Sequence, residues 1–298
     1  MKSALALAAL TLGTTAAQAA ATLNFCDRPS TLTAPQQDRL LQFSAVVRRE
    51  LEASGQSVAL VSRSGLDLHR FGIRYSHAGF SLKASENTPW SVRQLYYACE
   101  ERRPRLFDQG LAGFLFGTDD PAVGYVSILL MPTEAAAPVE QAALDKPRAL
   151  RLLAATYSAN AYPRSLRYQN CNQWVAELLA TAWGGLPDGD DLRARAQSWL
   201  ADEGYAPPAV EVGSRLVMWA GYFIPWIHFD DHPEADVAAL RQHTSLPTAI
   251  EGFVRGRLPA AQHIELCHDE RQMVIRRDGP PVAEGCKPEA GDQVLAFE

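Results

Sequence analysis

Five cysteines, at positions 26, 99, 171, 267 and 286, follow an N-terminus that reads as an export signal. No other feature limits the fold as much. Residues 1–19 run from Lys2 through an apolar Ala/Leu stretch to Ala17-Gln18-Ala19, a small-x-small site of the kind signal peptidase cleaves. The apolar part is about half the length a bilayer span needs. Leu23-Asn24-Phe25 before Cys26 lacks the small residues that precede a lipidated cysteine. The expectation is a soluble exported protein, periplasmic or secreted, with no transmembrane anchor. In an oxidising compartment cysteines pair. Cys267 and Cys286 flank a strand, a Gly-Pro-Pro turn and a return, and a bridge there would constrain the unfolded chain by about 3 kcal/mol. Cys26 and Cys99 offer a second pair. Cys171 is then left over, either as a buried inert thiol or as a reactive one.

The 298 residues carry a formal charge of −6 and 47% hydrophobic positions, with no basic stripe. That is the composition of a globular chain, and it argues against nucleic acid as a partner. Periodicity predicts a helix over 35–54, strands over 57–62, 72–83, 90–98 and 124–131, a short helix over 106–116, and mainly helical structure over 139–204. Helical stretches follow near 235–243 and 247–256, with short strands in the last forty residues. No Ser/Gly linker separates domains, so the order points to one α+β domain with a C-terminal extension.

The segment from Tyr168 to Leu179 is the best-marked helix start. Asn170 suits the N-cap and Gly184-Gly185 the stop. Cys171 falls in the first turn, on one face with Trp174, Val175, Leu178 and Ala182, where the positive end of the helix dipole would lower a thiol pKa. Spacing alone favours the plainer reading, a core cysteine on an amphipathic helix. A thiol nucleophile needs a base. His77 lies in the strand Tyr75-Ser76-His77-Ala78-Gly79-Phe80, and folding the hairpin about Asn87 brings Gln94 and Tyr96 to it. A satisfied structural histidine is the bland alternative.

The Ser-His-x-Gly-Phe strand, the Trp-x-Val-x-polar strand and the later Asn-Cys-x-x-x-Val helix start resemble the circularly permuted NlpC-like branch of the papain-like cysteine hydrolases. In that branch the histidine strand precedes the cysteine helix, and His77 comes 94 residues before Cys171. The resemblance implies a permuted papain-like fold: an antiparallel sheet packed on a Cys-bearing helix over 20–205, with an α/β extension over 206–298. It implies Cys171 as nucleophile, His77 as base and Gln94 as the residue orienting the ring, with no cofactor. The third position is more often His, Asn or Glu, and glutamine cannot stabilise imidazolium as a carboxylate would. Gln169 is a looser candidate for the oxyanion hole, against a surface position. The whole chain, including the Cys267–Cys286 region and Ser245-Leu246-Pro247, also resembles an uncharacterised family of exported bacterial proteins.

Other features carry less. His228 to Glu234 packs two histidines and three acids together, but the spacing matches no common zinc signature, so a solvated loop is expected and no metal. Residues 192–200 suit an amphipathic surface helix, and the aromatic run 216–229 suits core. Two functions follow. One is a thiol hydrolase or acyltransferase acting on an envelope peptide or acyl group through acyl-Cys171. The other is a non-catalytic envelope binding or scaffold protein using the 216–229 aromatics.

Overall fold

Side chains alternate between the two faces of a strand, and that alternation sorts this chain into two cores on one sheet. The computed structural model describes residues 32–298; the expected signal (1–19) and Cys26 lie outside the described residues. Strands in chain order are β1 (Val58–Arg63), β2 (His77–Leu82), β3 (Ser91–Ala98), β4 (Arg103–Gln109), β5 (Gly124–Leu130), β6 (Ala209–Glu211), β7 (Arg241–His243), β8 (Gln262–His268), β9 (Gln272–Arg277) and β10 (Gln293–Ala296). Helices are α1 (Ala34–Ala53), α2 (Leu111–Phe116), α3 (Thr133–Leu144), α4 (Lys146–Arg151), α5 (Cys171–Trp183), α6 (Leu192–Asp202), α7 (Arg215–Gly221), α8 (Glu234–Ala238) and α9 (Pro247–Arg257). Eight strands form one sheet in the order β10-β9-β8-β5-β1-β2-β3-β4, and β6 pairs with β7 separately. All these pairings are antiparallel. The segment beyond residue 206 therefore supplies three strands, β8 to β10, to the same sheet.

On one face Leu60, Phe80, Leu82 and Leu95 pack with Trp174, Val175 and Leu178 of α5 and Val139 of α3. On the other, Ala59, Val61, Val92 and Ile128 pack with Phe43, Val47 and Leu51 of α1 and Phe114 of α2. Among the described residues no helix is long and apolar enough to cross a membrane. Cys267 and Cys286 are disulfide-bonded. Cys99 is also disulfide-bonded; its expected partner, Cys26, lies outside the described residues. Cys171 is the free cysteine among the described residues, and it is buried.

Several expectations need correction. Residues 106–109, expected at the start of a helix over 106–116, belong to strand β4, because the turn at 99–102, with Arg102 at φ 53°, sends Arg103 back opposite Ala98, and helix α2 begins only at Leu111. Helix α6 is amphipathic as expected, with Leu192, Ala196 and Leu200 on its buried face, but Arg193 is buried with them. The 228–234 segment is a latch rather than a solvated loop. His232 is buried with Nε2 2.7 Å from the Asn160 carbonyl, Asp231 accepts from the Tyr162 N–H at 3.0 Å, and His228 stacks on Tyr168. The aromatic run is not core. Leu216, Trp219, Tyr222 and Phe223 are 59–71% exposed, and Met218, Gly221 and Phe229 supply its buried side.

Candidate active site

Helix α5 begins where the sequence places it. Asn170 accepts from the Gln173 N–H at 2.7 Å. Its amide also donates to the Ala159 carbonyl (3.2 Å), Thr244 Oγ1 (2.8 Å) and the Ser245 carbonyl (3.1 Å). One side chain thus caps the helix and ties it to the loop before α9. The helix is more than amphipathic: every residue from Cys171 to Thr181 is buried. That burial includes Glu177, which Arg193 (3.1 Å), Gln197 (2.9 Å) and Gln169 (2.5 Å) neutralise. Arg193 also donates to the Leu166 and Tyr168 carbonyls at 2.7 and 2.6 Å, fixing the chain that leads into Cys171.

Gln169 belongs to this scaffold. It is fully buried rather than on the surface, and its amide nitrogen donates to the Leu152 carbonyl at 2.8 Å and to Glu177. Its oxygen accepts from the Ala154 N–H at 3.0 Å. With both amide hydrogens committed, it has none left for a reacting oxygen, which corrects the oxyanion expectation.

His77 and Gln94 meet as the hairpin reading expects. His77 Nε2 lies 2.5 Å from Gln94 Oε1, and Gln94 Nε2 donates to Gln109 Oε1 at 2.7 Å. The second bond fixes which way the Gln94 amide faces. Its oxygen points at the ring, so Nε2 carries the imidazole proton and Nδ1 keeps a lone pair. Among the described residues Nδ1 has no hydrogen-bond partner. Gly79 lets the strands approach this closely, since a β-carbon there would sit 2.8 Å from the Arg93 carbonyl. Tyr96 and Phe114 wall the ring, with centroids at 5.2 and 5.9 Å.

Alternation turns His77 toward α2, away from the face that α5 covers, and no hydrogen bond joins it to Cys171 among the described residues. They are neighbours through other groups. Asn172 donates to the Ser76 carbonyl at 3.1 Å, and the Ser76 N–H donates to the Arg63 carbonyl at 3.2 Å. Arg63 pairs with His77 across β1 and β2, and its charge acts on both His77 and Cys171. Tyr157, stacked on Tyr97 at 5.1 Å, also acts on the thiol, pulling its pKa down.

The electrostatics reverse one expectation. Burial pushes the Cys171 thiol up to about 11, against the pull of the Asn172 N–H, the Arg63 charge, Tyr157 and the cysteine's own N–H. Burial, and after it the Arg63 charge, holds His77 down to about 3 despite the Gln94 acceptor. The helix dipole is worth a few tenths to about 1 kcal/mol, and loss of water outweighs it. At neutral pH the resting groups are thiol and neutral imidazole, not thiolate and imidazolium. Both residues keep 7% exposure, so the site is nearly closed to water.

Sequence reasoning missed Arg63, Gln109, Tyr157 and Asn172. Gln109 was legible only once 103–109 is a strand, and Arg63 lies one residue past the predicted end of β1. A separate cleft of about 620 Å³ opens near α9 and β8, lined by Tyr75, Glu251, Arg255, His263, Glu265 and Asp278. Its two glutamates are partnered, Glu251 by Ser127 (3.1 Å) and Arg255 (3.4 Å), Glu265 by Arg74 (3.0 Å) and the Val282 N–H (2.6 Å).

Residues 50–254 match the family described as "uncharacterized protein conserved in bacteria (DUF2145)", and the chain belongs to it. The match spans β1 to α9 and contains His77, Gln94 and Cys171, while the Cys267–Cys286 bridge lies beyond it. No curated protein and no solved structure matches the chain.

Proposed function

We propose that this family member is an exported thiol hydrolase or acyltransferase, cleaving an amide or ester of an envelope peptide or acyl group through acyl-Cys171. On this reading β2 and α5 are the histidine strand and cysteine helix of a permuted papain-like unit. The observation that carries it is the Gln109–Gln94–His77 relay. It locks the imidazole in the tautomer whose free Nδ1 can take a proton, on a strand whose preceding residue, Ser76, accepts from Asn172 of the helix that begins with the one free thiol of the described residues.

The chemistry starts from neutral groups. Cys171 Sγ attacks the carbonyl carbon as its proton passes to His77 Nδ1, forming the C–S bond and an oxyanion. A lone charge on either residue is costly here, but the transfer creates opposite charges together, and each offsets the other. First-turn N–H groups of α5 and the Arg63 charge face the developing negative charge. Imidazolium then protonates the leaving amine or alcohol, and the carbon–heteroatom bond breaks to leave a thioester. Water, or an acceptor nucleophile in a transferase, gives its proton to His77, attacks the thioester and releases Cys171 as thiol.

Incubation of the unreduced protein with p-nitrophenyl acetate, followed by peptide mass mapping, tests the reading. An acetyl group on Cys171, absent in Cys171→Ala and slowed in His77→Ala, is expected. A folded protein that never acylates at Cys171 would overturn it.

The exposed aromatics of α7 favour a second reading, a non-catalytic envelope binding protein. They connect to the site region, because Trp226 lies 5.9 Å from Tyr97. In that case substitutions at Trp219 and Trp226 abolish function in cells while Cys171→Ala leaves it intact.

A further inference from the structure

Four arginines are buried among the described residues: Arg63, Arg93, Arg193 and Arg276. Three meet a carboxylate, Arg93 with Asp108 at 2.6 Å, Arg193 with Glu177 at 3.1 Å and Arg276 with Asp292 at 2.7 Å. Arg63 meets none among the described residues. A buried charge without a counter-charge is costly, so folded proteins pair it or give it a task. Arg63 Nη1 donates to the Gly117 and Ser64 carbonyls, the guanidinium lies 5.2 Å from the centroid of Phe114, and the Tyr96 hydroxyl is within its reach. Its Nε has no hydrogen-bond partner among the described residues. Asp119, the acid nearest in effect, accepts instead from the Asp67 N–H at 3.3 Å.

The surroundings are shaped to hold this side chain. A β-carbon at Gly65 or at Gly117 would overlap the guanidinium. Two glycines therefore make room for a charge that meets no acid among the described residues. The Arg63 side chain sits opposite His77 in the β1–β2 register, and its backbone carbonyl accepts from the N–H of Ser76, whose own carbonyl receives Asn172.

We propose that Arg63 is the anion-recognition residue of the Cys171 site, and that its missing counter-charge is a carboxylate borne by the substrate close to the carbonyl under attack. The substrate class is then an acyl donor with a carboxylate beside the scissile bond, such as a peptide with an acidic residue or a free C-terminus there. A guanidinium suits this role because its planar fork can hold two carboxylate oxygens, and burial strengthens the attraction. This inference rests on Cys171 being a working nucleophile, and its test separates the two claims.

The test is the rate of Cys171 alkylation by iodoacetate against iodoacetamide, in the unreduced full protein at low ionic strength, read by mass spectrometry. Each reagent loses iodide to Sγ as the C–S bond forms, with the thiol proton leaving to His77 or solvent. They differ only in carboxylate against neutral amide. We expect the iodoacetate-to-iodoacetamide ratio at Cys171 to exceed that of free cysteine in the same buffer by about tenfold. The excess disappears in Arg63→Gln and persists in Arg63→Lys. Succinate suppresses it in the wild type more than sodium chloride at equal ionic strength does, a readout that needs no folded variant. A wild-type ratio equal to that of free cysteine overturns the proposal. So does an Arg63→Gln protein that loses rate with both reagents equally, since Arg63 would then serve only the thiolate. A Cys171 that reacts with neither reagent until unfolded overturns the nucleophile reading as well.

Discussion

Two buried polar clusters flank the start of α5, and they are finished differently. Around Glu177 every group is used: Arg193, Gln197 and Gln169 supply the donors, and Arg193 spends its remaining hydrogens on backbone carbonyls. Around His77 the protein stops short. Gln109 and Gln94 fix the ring, yet among the described residues Nδ1 has no hydrogen-bond partner and Arg63 meets no acid. A cluster that only holds a fold gains by being complete, because an unmet buried polar group costs about 1–3 kcal/mol. A cluster left incomplete on one side, and organised on the other, is shaped for something that arrives.

The largest effect falls on the complete cluster. Glu177→Ala leaves Arg193 buried and unpaired, and denaturant unfolding should show a loss of about 3–5 kcal/mol. A loss below about 1 kcal/mol would erase the contrast. Next is the Cys267–Cys286 bridge, which spans 19 residues and ties β8, two strands from β1, to the segment after β9. The double change to serine should cost about 3 kcal/mol while leaving Cys171 reactivity unchanged. A changed reactivity would mean that the bridge is coupled to the site through β5.

Per pH unit, the smallest effect is the acid limb of stability. His77 is held down to about 3 and His268 to about 4, both chiefly by burial. Below the ordinary histidine value the unfolded chain binds protons that the folded chain refuses, so stability falls as pH drops from about 6.5 toward those values. Each histidine contributes up to about 1.4 kcal/mol per pH unit across its window. His77→Gln should flatten that slope by its own share, measured by denaturant unfolding at stepped pH. An unchanged slope would mean that His77 is protonated in the folded protein.

Local rules made part of this legible. The Asn170 cap, the Cys171 first turn and the meeting of His77 with Gln94 follow from capping and from strand alternation, which act over a few residues. The pairing of Cys267 with Cys286 was readable from their place around a hairpin-like segment. What failed depended on burial and distant partners. The dipole argument predicted a depressed thiol pKa, but Cys171 lies under Tyr157 and the sheet, where loss of water dominates. Gln169 looked free because Glu177, Leu152 and Ala154 are its neighbours only after folding. The 216–229 aromatics looked like core because hydrophobicity alone does not say which residues face inward. The isolation of Arg63 was invisible, since sequence cannot show that no acid comes near.

The central claim is that Cys171 and His77 form a working pair that rests uncharged. Its most direct measurement is the pH profile of Cys171 alkylation by iodoacetamide in the folded, unreduced protein, with His77→Ala alongside. The account predicts labelling at Cys171 alone, with a rate that climbs through neutral pH without levelling off, as a thiol near 11 requires. It predicts a rate at least about tenfold lower in His77→Ala. Labelling that appears only on unfolding, or a rate indifferent to His77, would contradict it.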